Sequence, residues 1–127
     1  MSYKVSDAVK ELLDDITKQF PEIGRRMNAC ATEFGFLAYS SMIEKFSDAT
    51  TEAMQRQDLK TVKNYLEFMS KKLSRANEEV HQLIDVSYVE PLMFQMKLKE
   101  KQELWPVIPL NLRDIYAKMW GDPTHKP

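Results

Sequence analysis

Glycine is scarce in this chain, three in 127 residues, while histidine occurs twice and cysteine once. So few residues cannot assemble phosphate-cradling glycine loops, nucleophile elbows, zinc-ligand clusters or paired histidines, which excludes the commonest catalytic and cofactor-binding motifs. The lone Cys30 cannot close an internal disulfide and fits a reducing compartment. Charge of one sign is lacking too. The formal net charge of -1 gives no basic excess of the kind that draws a protein to nucleic acid or to an anionic membrane. No stretch is apolar enough to span a bilayer, and Met1-Ser2-Tyr3-Lys4-Val5 has no apolar leader run, so a cytoplasmic address is expected.

What is present favours helix. Glu, Lys, Gln, Met, Leu and Ala are abundant and strand signals are nearly absent, so the expected fold is all-α. At 127 residues the chain suits one domain, a bundle of about five to six helices with a C-terminal closing helix and flexible ends at 1–5 and 122–127.

The first helix is expected from a Ser6 cap, with Val9, Leu12, Leu13, Ile16 and Phe20 at helical spacing, and Pro21 closes it. A short helical piece around 23–33 should precede a longer helix from about Phe34 to Gln55, with Ser47-Asp48 a possible internal restart. Asp58 should cap a third helix whose stripe is Leu59, Val62, Leu66, Met69 and Leu73, and Asn77 a further one. Ser87-x-x-Glu90 matches a capping box for a helix reaching about Leu98, and 97–103 reads as a charged connector. In Trp105 to Gly121, Pro106 and Pro109 should hold the backbone extended. Pro109 can begin a helix, Arg113 suits a buried carboxylate partner, and Gly121 with Pro123 stops the chain. Trp105, Pro106, Pro109, Leu112, Arg113, Tyr116, Trp120 and Gly121 are expected as the structural keystone.

Candidate chemistry is thin. Glu78 and His81 form a Glu-x-x-His pair, one of the two such motifs that a di-iron carboxylate bundle needs, and the second motif and the two further carboxylates have no counterpart. The expectation is a protein without catalytic residues, cofactor or metal. A small-ligand or metal-binding helical protein stays an alternative, as does a helical scaffold or adaptor.

The pattern Trp105-Pro106-x-Ile108-Pro109-x-x-Leu112-Arg113-x-x-Tyr116-x-x-x-Trp120-Gly121, preceded by Asp85-Val86-Ser87-Tyr88-Val89-Glu90, resembles a family of small all-helical bacterial proteins. These are similar to immunity proteins encoded beside polymorphic toxins, including those of contact-dependent growth inhibition. The resemblance spans roughly the last two thirds of the chain, and Pro91 departs from it. It implies a protein that binds a cognate toxin, commonly a nuclease, and blocks its active site without touching nucleic acid or membrane. Such a protein needs a preformed and often acidic surface. Up to Asp58 the chain carries ten acidic and seven basic residues. The expected electrostatic face is Asp7, Glu11, Asp14, Asp15 and Glu22, with Glu44, Asp48 and Glu52 second.

Overall fold

In the computed structural model, residues 7–30 and 35–124 are described, and among them every regular element is helical. There are seven α-helices: α1 (Asp7–Gln19), α2 (Pro21–Asn28), α3 (Gly35–Gln55), α4 (Leu59–Ser74), α5 (Glu78–Leu83), α6 (Leu98–Leu104) and α7 (Leu110–Trp120). That exceeds the expected five to six. None of the described helices is long and apolar enough to cross a membrane. The Ser6 cap and the ends at 1–5 and 125–127 lie outside the described residues.

Local chemistry explains most boundaries. Phe20 leaves the helical region (φ −131°, ψ 81°) because Pro21 follows it, and Pro21 then sits where a missing amide donor costs nothing, at the start of α2. Gly24 lets α2 lie close on α1, since a Cβ there would stand 2.6 Å from Thr17 Cγ2. The Asp58 carboxylate accepts from the Thr61 amide to start α4, and Asn77 Oδ1 accepts from the Val80 amide to start α5. Gly121, at φ +83°, ends α7.

The long α3 is the axis of the bundle, packing against α2, α4 and the segment that follows α5. One hydrophobic core draws on residues from Val9 to Tyr116. At its centre are edge-on aromatic contacts: Phe20 on Tyr65 at 4.8 Å and Phe46 on Tyr88 at 5.1 Å between centroids.

Five local expectations are corrected. Ser47 does not restart a helix; it is buried within an unbroken α3, and its hydroxyl donates to the Tyr88 carbonyl at 2.7 Å. Ser87 is not a cap, because α5 continues without a break into a widened π-helical segment, Ile84–Val89, where the Glu90 amide reaches back to Asp85 O. The helix expected on to Leu98 gives way to a turn in which Met93 and Gln95 are left-handed (φ 62° and 63°). The supposed connector is instead α6, started by the Glu100 carboxylate accepting from the Lys97 amide at 2.9 Å. Pro106 likewise lies in a 3-10 turn, Trp105–Val107, and only Ile108 is extended ahead of Pro109.

Candidate functional site

The eight carboxylates expected on a binding face divide into two exposed rows and an internally paired set. Asp7, Glu11 and Asp14 point outward from α1, about one per turn, while Glu44 and Asp48 do the same on α3. α2 packs between the two helices, so the rows are separate surfaces.

The other three carboxylates bond to side chains of other helices. Asp15 pairs with Lys72, joining α1 to α4. Glu22 accepts from the Tyr65 hydroxyl at 2.7 Å. Burial first, and then that bond to Glu22, push the Tyr65 phenol well above its ordinary pKa. Glu52 receives both terminal nitrogens of Arg26, at 2.8 and 2.9 Å. The hydrogen bond from Arg26 holds the Glu52 carboxyl below its usual range and raises Arg26 in return.

The keystone stretch also divides. Trp105 is buried and packs edge-on against Tyr116 at 5.6 Å, and Leu112 is fully enclosed. Trp120 is 60% exposed; its indole N–H donates to the Glu90 carbonyl at 2.9 Å, so the ring is fixed at the surface and contributes no core volume. Met119 is exposed as well. Arg113 has no carboxylate partner among the described residues, and its Nε is buried without an acceptor. The pin that sequence reasoning assigned to Arg113 is made by Asn111, whose Oδ1 accepts from Ser70 Oγ at 2.7 Å and whose Nδ2 donates to Ser70 O at 3.0 Å. Asp122–Thr124, the described part of the expected flexible tail, form an Asx turn, and the Pro123 carbonyl accepts from Gln102.

Sequence reasoning also missed a polar row along α3. Ser40 meets Ser87 at 2.7 Å between hydroxyls, Ser47 meets the Tyr88 carbonyl, Thr50 meets the Tyr88 hydroxyl at 2.8 Å, and Thr51 accepts from the Met93 amide at 2.9 Å. Thr50 donates its only proton to Phe46 O, so Tyr88 must be the donor to Thr50. Desolvation raises the pKa of the wholly buried Tyr88 phenol. The signal was visible as Ser and Thr at positions 40, 47, 50 and 51, set among the apolar residues of α3. These contacts are structural. Glu78 and His81 are exposed on α5, and among the described residues no three His, Cys, Asp or Glu side chains converge as metal ligands would.

Comparison with known families gives one match, a domain of unknown function, DUF7674, over residues 13–121. The chain belongs to that family. The matched span takes in α2 to α7 and most of α1. No curated protein and no solved structure matches the chain.

Proposed function

We propose that this protein is a non-catalytic binding protein of the immunity type, which occupies the active-site groove of a cognate bacterial toxin domain. The observation that carries the reading is the row Asp7, Glu11 and Asp14. These carboxylates share one face of α1 and make no ion pair among the described residues, whereas Asp15, Glu22 and Glu52 are bonded to side chains of other helices. A row of fixed negative charge on a rigid helix complements a basic groove, and a nuclease is the toxin class that presents one. Glu44 and Asp48 supply a second, smaller negative surface on α3.

The test is co-expression with the product of the neighbouring gene. Co-purification and relief of toxicity are expected, with Glu11→Lys/Asp14→Lys weakening the complex while leaving urea unfolding unchanged. A toxin-like neighbour that neither binds nor is neutralised would remove the proposal. A second reading, a helical adaptor, is favoured by Trp120. An exposed tryptophan already held in one orientation is what protein interfaces use as an anchor. Binding lost in Trp120→Ala but kept in the α1 charge reversal would select it.

A further inference from the structure

We infer that the cleft between the end of α3, the start of α4 and α6 receives an arginine side chain presented by a partner protein. The cleft has a volume of about 320 Å³. Four of its eight lining residues are apolar: Met54, Met96 and Leu104 are buried there, and Leu59 is 46% exposed although it begins the apolar stripe of α4. Glu100 and Glu103 line the same cleft from one face of α6, and Gln55 and Gln57 line it from the end of α3. No basic residue is among its lining residues, and Glu103 makes no ion pair among the described residues.

That combination selects the occupant. Apolar side chains beside two carboxylates call for a cation on an aliphatic stem. Two amide oxygens beside the two carboxylates favour the five fixed donors of a guanidinium over the compact ammonium of lysine. The parts are held in place before binding. The Glu100 carboxylate is already fixed by the Lys97 amide. Gln57 is held left-handed by a helix stop in which its own amide bonds Met54 O and the Asp58 amide bonds Ala53 O, both at 3.0 Å. The inference goes beyond the toxin-binding reading, because the α1 row takes no part in it.

The test is a methyl and amide NMR titration of the full chain with Nα-acetyl-arginine methylamide, and separately with the lysine and norleucine analogues. Saturable shifts confined to Met54, Met96, Leu59 and Leu104 are expected for arginine, with a Kd on the order of 1 mM and weaker binding of the other two. Glu103→Gln, at an exposed position, should weaken arginine binding about five-fold or more. Leu59→Lys places an internal ammonium at the cleft and should block the site even if Glu103→Gln proves unstable. Absence of saturable shifts, equal binding of norleucine, or full affinity in a folded Leu59→Lys protein would overturn the inference.

Discussion

The two tryptophans should respond very differently to the same truncation. A tryptophan ring buries about 150–250 Å² when enclosed, which at about 25 cal/mol per Å² is roughly 4–6 kcal/mol. Trp105 is 5% exposed and also loses its contact with Tyr116, so Trp105→Ala should cost about 3–5 kcal/mol. Trp120 is 60% exposed, which leaves less than half of that burial and one hydrogen bond, and Trp120→Ala should cost about 2–3 kcal/mol. Urea unfolding followed by far-UV circular dichroism measures both, and the Trp105→Ala melting point should fall by about 10–15 °C. Each variant also keeps one tryptophan, so acrylamide should quench the indole left in Trp105→Ala far more than the one left in Trp120→Ala. Equal costs, or equal quenching, would refute the division of the keystone into a core residue and a surface residue.

Thr50→Val leaves the Tyr88 hydroxyl without an acceptor in the core and should cost about 1–3 kcal/mol, whereas Tyr88→Phe should cost about 1 kcal/mol. The double variant should resemble Tyr88→Phe alone, and additive costs in urea unfolding would show that the two groups are not coupled. Gln57→Gly relieves a left-handed residue at the end of α3 and should stabilise by about 1 kcal/mol, seen as a higher urea midpoint at unchanged slope. Because Arg26 depresses the Glu52 pKa in the folded state, that pair's stabilisation is present above the ordinary glutamate pKa and is lost as pH falls through the folded value. Both side chains are over two-fifths exposed, so the loss should stay below about 1 kcal/mol, and Arg26→Met should flatten the acid limb of the stability profile. The buried Tyr88 phenol has the opposite sign: its contribution is full below the ordinary tyrosine pKa and declines as pH rises, so Tyr88→Phe should soften the alkaline loss of stability.

Boundaries written in local chemistry were legible in the sequence. Pro21 fixes the break between α1 and α2 because the ring restricts the residue before it, and Asp58 and Asn77 start α4 and α5 because each carboxylate or amide reaches an amide three residues on. Apolar stripes at helical spacing likewise identified Leu12, Ile16, Val62, Leu66 and Met69 as core. What misled was chemistry with two uses. Ser87-x-x-Glu90 has the letters of a capping box, yet Ser87 lies inside a helical segment that runs on from α5, and its hydroxyl is turned to Ser40 on another helix. The carboxylates were legible only as a set. Which of them face water and which are paired depends on Lys72, Tyr65 and Arg26, each brought alongside by packing.

By itself the sequence determined an all-helical chain, because helix formers at a period near 3.6 with few breakers leave the backbone no comparable alternative. It also determined where most helices start and stop, since caps and prolines act within a few residues. The tertiary structure decided the rest, because burial and pairing depend on residues far apart in the chain. It turned Trp120 outward and Trp105 inward, bent 84–89 into a wide helical turn against the hydroxyls of α3, and left Asp7, Glu11 and Asp14 as a row with no ion pair among the described residues.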